Sequence, residues 1–421
     1  MPRKSKGDSS HKLLKLMLVC KYFNQIIQIT PAFWTELWLV RTIRNTEEQE
    51  AGWIEWIGEH IKKSKELPLR VFFILSTSSL TKIYPILLPT SPRWVHLSIT
   101  SVLLIFRPAK GPSTLQPLFD APIPQLRSLS VEGLGKWVDA VSGIGTVFRH
   151  APRLTRLEWH DRLVVFRPES GATGSSEEHV QWQSTQGVTY DFAQKTLEVL
   201  SIKGAIIPIP FECMVMHRLR LLTLGGFCRP WPFLERWQFP VLEELHISAD
   251  PYDEVKGLAT PTFPTLKKIQ WLDTESKPAP ADPLNDRFLL LKVLAASSEL
   301  QAFCISCRIP NIQAYLNLRR IHRQPADRIL PFLATDDVTG APKYCPNLQE
   351  LCLQEASFGE LKHLADIRPQ LEKVEVVALR GDSDSASPSR EEDLARLEIL
   401  KERVEVRFHD WVWPYSDNQD R

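Results

Sequence analysis

One short phrase returns ten times along the chain and constrains the fold more than any other feature. It consists of an apolar anchor, two residues, an apolar residue, one residue that is usually polar, and a third apolar residue. Seven copies carry a proline two positions before the anchor: Pro92-Arg-Trp-Val-His-Leu-Ser-Ile99, Pro124-Gln-Leu-Arg-Ser-Leu-Ser-Val131, Pro152-Arg-Leu-Thr-Arg-Leu-Glu-Trp159, Pro240-Val-Leu-Glu-Glu-Leu-His-Ile247, Pro264-Thr-Leu-Lys-Lys-Ile-Gln-Trp271, Pro346-Asn-Leu-Gln-Glu-Leu-Cys-Leu353 and Pro369-Gln-Leu-Glu-Lys-Val-Glu-Val376. Three copies lack it: Lys195-Thr-Leu-Glu-Val-Leu-Ser-Ile202, Arg218-Leu-Arg-Leu-Leu-Thr-Leu224 and Glu299-Leu-Gln-Ala-Phe-Cys-Ile305. The last two apolar positions of each copy share one face of a strand, and the residue between them faces outward. A single such unit cannot bury its apolar row, whereas stacked units can.

The phrase resembles the leucine-rich repeat, whose unit normally runs 20–29 residues. Successive anchors are 32, 28, 43, 22, 23, 24, 34, 48 and 23 residues apart. Five spacings fall in that range. The longer ones hold inserts that read as surface loops, such as Ser170–Glu178 and Asp273–Asp282, and the 48-residue gap leaves room for a degenerate unit between Asn311 and Leu333. The Asn that many such repeats place after the strand is missing, so irregular repeats are expected. The proline phrase also accounts for part of an unusual composition of 32 Pro against 18 Gly in 421 residues. A fixed φ and a missing donor cost little just before a strand and stop a preceding helix.

Upstream of the repeats, Leu13, Leu14, Met17, Leu18, Cys20, Phe23, Ile26 and Ile27 recur at helical spacing, which predicts one amphipathic helix from His11 to Ile29. Ser9 or Ser10 would cap it and Pro31 would end it. Phe33, Trp34, Leu37 and Trp38 follow, too apolar to stand in solvent. In Leu14, Leu16, Val19-Cys20-Lys21, Phe23, Ile26, Pro31 and Trp34-Thr-Glu-Leu37 this stretch resembles the second half of an F-box, and Trp53–Ile57 with Ser64–Val71 is similar to the linking helix and first strand of fungal F-box proteins. The family's opening Leu-Pro-x-Glu stretch is not found in residues 1–10, so the F-box reads as truncated at its N-terminal side, either because the sequence starts late or because the protein has lost that part. The resemblance implies a substrate-recognition subunit of a Skp/cullin/F-box ubiquitin ligase. Its partners would be the Skp-type adaptor, the cullin and an unknown target protein. Leu14, Val19, Cys20, Phe23, Ile27, Pro31 and Trp34 would then meet the adaptor. The alternative is a non-catalytic repeat scaffold that no longer binds the adaptor.

The expected fold class is therefore α/β: a leucine-rich-repeat solenoid with a parallel sheet, preceded by a small helical F-box-like segment. The expected divisions are a flexible N-terminus at 1–9, the partial F-box at 10–45, a linking helix and first strand at 46–90, the repeats at 91–409 and a tail at 410–421. Ten strands at about 4.8 Å give an arc of roughly 48 Å, long enough for an interface of about 1,600 Å². The outward positions expected to meet a partner are Arg156, Glu158, Glu244, His246, Lys268, Gln270, Lys373 and Glu375. Their mixed signs, and a net charge of +1 for the whole chain, favour a protein partner over nucleic acid.

Signals of other functions are weak. The longest apolar runs fall far short of the ~20 residues of a membrane helix, so no membrane association is expected. Seven sparse cysteines are expected to be reduced thiols in the cytoplasm or nucleus. No catalytic residue, metal ligand or cofactor site is expected: the His residues are scattered, Gly143-Ile-Gly145 lacks the third glycine of a dinucleotide loop, and neither a phosphate-binding Gly-Lys-Ser/Thr nor a Gly-x-Ser-x-Gly elbow occurs. Cys304 and Cys307 alternate on a strand and so point to opposite faces, which argues against a joint site. Cys304 and Cys352, by contrast, hold the same outward position of their copies and would be neighbours if no hidden unit intervenes. Arg380-Gly-Asp382 reads as a polar turn, and Asp382–Ser389 as a solvated loop open to phosphorylation.

Overall fold

The computed structural model describes residues 15–40, 47–75, 80–101, 116–132, 150–160, 195–203, 214–225, 234, 237–248, 262–273, 289–307, 330, 333, 344–380 and 390–408. The chain forms two compact units, Met1–Pro208 and Ile209–Arg421. Each is an open α/β unit built on a parallel sheet.

The first unit's sheet runs in chain order through β1 (Glu36–Val40), β2 (Leu69–Leu75), β3 (Trp94–Ser101), β4 (Ser128–Glu132), β5 (Arg156–His160) and β6 (Val199–Lys203). In the second unit, β7 (Met214–Val215) and β9 (Trp237–Gln238) form a small parallel pair. Its main sheet runs β8 (Leu221–Gly225), β10 (Glu244–Ser248), β11 (Lys268–Asp273), β12 (Ala302–Cys307), β13 (Glu350–Ser357), β14 (Lys373–Arg380) and β15 (Glu405–Phe408). Each of the ten copies of the phrase supplies one of these strands. All three apolar positions of every copy are at most 3% exposed. At roughly 1.5–3 kcal/mol per buried large aliphatic side chain, these stacked rows are the main source of cohesion.

The prolines have a more specific role than stopping a helix. The anchor amides of Leu126, Leu154, Leu242, Leu266, Leu348 and Leu371 each donate to the carbonyl three residues back, which belongs to the residue just before the proline. Proline therefore sits second in a four-residue turn, where its fixed φ is already correct. Leu219 and Leu300 close the same turn without it. Just past the turn, equivalent amides continue the ladder from copy to copy: Lys267 donates to Glu243, Gln301 to Lys267, Gln349 to Gln301 and Glu372 to Gln349, at 2.8–2.9 Å. The residue before the proline position is buried in every one of these turns and was not singled out in the phrase: Ile123, Ala151, Met216, Phe239, Phe263, Ser297, Cys345 and Arg368.

Three expectations change. No strand of the 48-residue gap stands between β12 and β13, which pair directly through Ala302 with Glu350, Phe303 with Leu351 and Cys304 with Cys352; residues 308–329, 331–332 and 334–343 lie outside the described residues. The single helix expected from His11 to Ile29 is interrupted. Residues 15–19 are helical, Cys20 is extended at φ −160° and ψ 162°, and α1 (Lys21–Ile29) starts anew with the Cys20 Sγ accepting from the Phe23 amide. Ser9 and Ser10 lie outside the described residues. Finally, the segment read as helical up to residue 45 contains β1, so Leu69–Leu75 is the second strand rather than the first.

Helices lie between several of the strands. These are α2 (Glu47–Ser64), α3 (Leu80–Leu87), α4 (Gln116–Asp120), α5 (Leu289–Ala295), α6 (Phe358–Ile367) and α7 (Arg390–Lys401). In α6 a reciprocal cap joins Ser357 and Glu360, and Phe358, Leu361, Leu364 and Ala365 are buried. In α5, Leu289, Leu290, Leu291, Val293 and Leu294 are all buried, so little of that short helix faces water. None of the described helices is long and apolar enough to cross a membrane.

Candidate interaction surface

Two kinds of surface stand out: an apolar face at the N-terminus and the outer faces of the two sheets. The seven F-box-like residues divide between different roles. Leu14 lies outside the described residues. Ile27 and Trp34 are buried, and the Trp34 indole N–H donates to the Ile27 carbonyl at 2.7 Å, tying α1 to the 3₁₀ turn Pro31–Trp34 that Pro31 opens. Lys63 Nζ stands 4.4 Å above the Trp34 ring, and His60 packs edge-on to it at 5.1 Å. Anchored in this way, the segment presents Leu18 at 85% exposure, Ile29 at 75%, Tyr22 at 69%, Val19 at 64% and Phe23 at 45%. Cys20 is exposed and serves as the cap. Thus Val19 and Phe23 face water while Ile27 and Trp34 hold the element in place.

In the first unit, register aligns Glu36, Arg70, His96, Ser128, Arg156 and Val199 in one outward row. A second row holds Trp38, Phe72, Ser98, Ser130, Glu158 and Ser201. Arg156 and Glu158 form an ion pair across the two rows. Burial pushes the Glu158 carboxyl up, but the hydrogen bond and charge of Arg156, with smaller contributions from His160 and Ser130, together hold the group below its ordinary value. Ser201 is buried although its position is outward, and it hydrogen-bonds His160 at 2.9 Å.

The same face carries aromatics that were not read from the sequence as part of it. Trp38 stacks on Phe72 with ring centres 4.0 Å apart and planes within 5°, and Phe72 meets His96 at 4.9 Å. Arg70 lies 5.7 Å from the Phe72 ring and pairs with Glu36 at 2.6 Å. Trp38 had been expected out of solvent with Leu37, yet Leu37 and Leu39 take the inner face and leave Trp38 half-buried on the outer one. Period-2 alternation around Trp38 and around Phe72, which is flanked by buried Val71 and Phe73, is the signal that could have found the pair. Trp and Arg are the residue types that most often dominate interface energetics.

The second unit's outer face brings the remaining candidates together. Glu244 Oε2 lies 3.4 Å from His246 Nε2 and 3.9 Å from Lys268 Nζ; Lys373 Nζ pairs with Glu375 Oε1 at 2.7 Å, and that hydrogen bond holds the ammonium above its usual range. Gln270 is exposed and in register with His246 and Cys304. Thr223, in the same row, is buried. Lys268, Gln270, Lys373 and Glu375 border a small depression that also contains Cys304, Cys352 and Glu350. Neighbouring charges on this face largely satisfy one another, so it has no strong field of one sign. Among the described residues, no cluster of three or more His, Cys, Asp or Glu could hold a metal ion.

No family model matches the chain, and no curated protein sequence matches it. Among solved structures, a chain of the yeast Rad7–Elc1 complex aligns over 86% of this chain and 76% of its own length, at 14% identity and a TM-score of 0.35. A Bacteroides fragilis protein aligns over 87% of this chain and 84% of its own length, at 10% identity and a TM-score of 0.29. Both scores lie below the level of a shared fold.

Proposed function

We propose that this chain is a non-catalytic recognition subunit of a Skp/cullin/F-box-type ubiquitin ligase, with irregular leucine-rich repeats that bind a target protein. The observation that carries this reading is the set of exposed apolar side chains Leu18, Val19, Tyr22, Phe23 and Ile29 on a short segment that buried Ile27 and Trp34 hold in place. Large apolar side chains left exposed together on one short segment mark a docking site. The F-box-like motif supplies its partner, the Skp-type adaptor. On the outer faces, mixed and mutually paired charges with the Trp38–Phe72 stack fit a folded protein better than a polyanion. Ubiquitin transfer lies with the enzymes recruited through the cullin, and this chain contributes proximity. It works in the cytoplasm or nucleus and needs no cofactor.

Mixing the purified chain with a purified Skp-type adaptor tests the reading. A stoichiometric complex is expected, with Phe23→Glu or Val19→Glu weakening it at least tenfold while the far-ultraviolet spectrum stays unchanged. Failure of the wild-type chain to bind any Skp-type adaptor would leave a repeat scaffold that holds its target without a ligase.

A further inference from the structure

The direct pairing of β12 with β13 places two thiols side by side. Cys304 and Cys352 are in-register neighbours on adjacent parallel strands, both partly exposed and both lining the depression on the outer face of the second unit. Neighbouring strands stand about 4.8 Å apart, inside the ~4.4–6.8 Å Cα separation that a disulfide spans. No strand has to move to a new partner for these sulfurs to meet.

The two thiols also differ from Cys345, a third described cysteine of the same unit. The Cys304 thiol is held below its ordinary value chiefly by a hydrogen bond from Cys352, which together with the charge of Lys268 outweighs the opposing effects of burial and Glu375. Cys345 is buried, its thiol donates to the Leu294 carbonyl, and burial pushes it up to about 12. Thiolate, rather than thiol, is the nucleophile, and peroxide reaches sulfur only where it is accessible.

We propose that Cys304 and Cys352 form a reversible oxidation site for hydrogen peroxide or a small alkyl hydroperoxide, closing to a disulfide between β12 and β13. In the first step the Cys304 thiolate attacks a peroxide oxygen. The S–O bond forms as the O–O bond breaks, and the departing hydroxide takes a proton to become water. The Cys352 sulfur then attacks the sulfenic sulfur and gives up its proton to the leaving hydroxyl. The S–S bond forms, the S–O bond breaks and a second water departs. Two thiols lose two electrons in total; hydrogen peroxide becomes two waters, and an alkyl hydroperoxide, whose alkoxide leaves in place of hydroxide and takes the proton, becomes one alcohol and one water. An exposed disulfide of this kind is open to attack by small thiols, so reductant reverses the step. Its position between Gln270 and Glu375 in the outward row means that oxidation changes a surface rather than the core. The proposal does not depend on the adaptor or target reading.

Full-length protein treated with a few equivalents of hydrogen peroxide, alkylated, digested with trypsin and analysed by tandem mass spectrometry tests this. Peptide 293–308 is expected joined to peptide 344–362 with the loss of two hydrogens, and fragment ions are expected to place the bond between Cys304 and Cys352. The thiol count of the denatured protein falls from seven to five, and dithiothreitol restores it. The wild-type spectrum locates the bond by itself, so the test does not depend on a variant folding. Cys352→Ser is further expected to leave an uncrosslinked sulfenic acid at Cys304 that dimedone traps. A bond to Cys307 or Cys345 instead, sulfenic or sulfinic acids without a crosslink, or resistance of both thiols to peroxide would each overturn the proposal.

Discussion

Replacing Arg368 tests how the turn before each repeat strand is sealed. Its counterparts in the other described turns are Ile123, Ala151, Met216, Phe239, Phe263, Ser297 and Cys345, yet here a guanidinium is 0% exposed. It is satisfied by carbonyls: Nε and Nη2 donate to Leu333 at 2.9 and 2.8 Å, Nη1 donates to Cys345 at 2.6 Å, and Nη2 also donates to Tyr344 at 2.5 Å. The side chain thus closes off the end of the preceding turn while its own backbone carbonyl receives the Leu371 amide. Arg368→Met keeps the apolar stem and removes the side-chain donors to three carbonyls, of which that of Cys345 still accepts from the Leu348 amide; each buried carbonyl left without a donor costs about 1–3 kcal/mol. Part of that loss is offset because a charge no longer has to be desolvated, at several kcal/mol. The net expectation is a destabilisation of about 2–4 kcal/mol. Arg368→Lys is the sharper test: it keeps the desolvation cost but loses the planar fork that reaches three carbonyls, so it is expected to be no more stable than the methionine variant. Urea unfolding followed by circular dichroism reads both. A methionine variant within about 0.5 kcal/mol of wild type, or a lysine variant that restores wild-type stability, would refute the reasoning.

Other perturbations follow from the same geometry. Burial between Trp34 and Trp56, with Lys63 adding a smaller push, lowers the His60 pKa from 6.5 to about 4 against the raising effect of backbone contacts at Glu36 and Trp34. The folded state therefore takes up its proton later than the unfolded chain. Stability is full above about pH 6.5 and falls by up to roughly 3 kcal/mol as pH drops toward 4; thermal melts across that range check this, and His60→Gln flattens the profile. His96 is lowered in the same direction, chiefly by burial and then by Arg70, so it adds to the slope. Ser357→Ala removes one half of the α6 capping box and is expected to cost about 1 kcal/mol in urea unfolding, with Glu360→Ala costing less when Ser357 is already gone. Pro264→Ala keeps the Leu266-to-Phe263 turn but loosens the unfolded chain, lowering stability by about 0.4–1 kcal/mol.

How much of this was legible follows from which positions have a fixed chemical character. The strands could be read because their inner positions must be apolar: Leu245 and Ile247, or Ile269 and Trp271, are buried with a polar residue between them. The residue before the turn could not be read, because burial there is met by Phe, Met, Ser, Cys and Arg alike, each with its own way of satisfying its polar atoms. Ser297 bonds Val293, Cys345 bonds Leu294 and Arg368 spans three carbonyls. The break at Cys20 was invisible because one extended residue between two helical stretches leaves the apolar spacing almost intact. A strand at Glu36–Val40 was hidden by Trp34 and Trp38, which read as one apolar cluster although the first packs against His60 and the second stacks outside on Phe72. Of the candidate surfaces, the charged outward positions follow from alternation. The Trp38–Phe72–His96 stack needed to be seen in register, since its members are 34 and 24 residues apart, whereas the Cys304–Cys352 pair was legible from equivalent repeat positions and needed only the direct pairing of β12 with β13.

The central claim is that the N-terminal apolar face, and not the sheet, receives the adaptor. Hydrogen–deuterium exchange of the full chain with and without a Skp-type adaptor tests it most directly, because it maps the footprint without a mutation. The account predicts slowed exchange across residues 15–29, with the strands from β8 to β15 unchanged. Protection on those strands with none at 15–29 would contradict it.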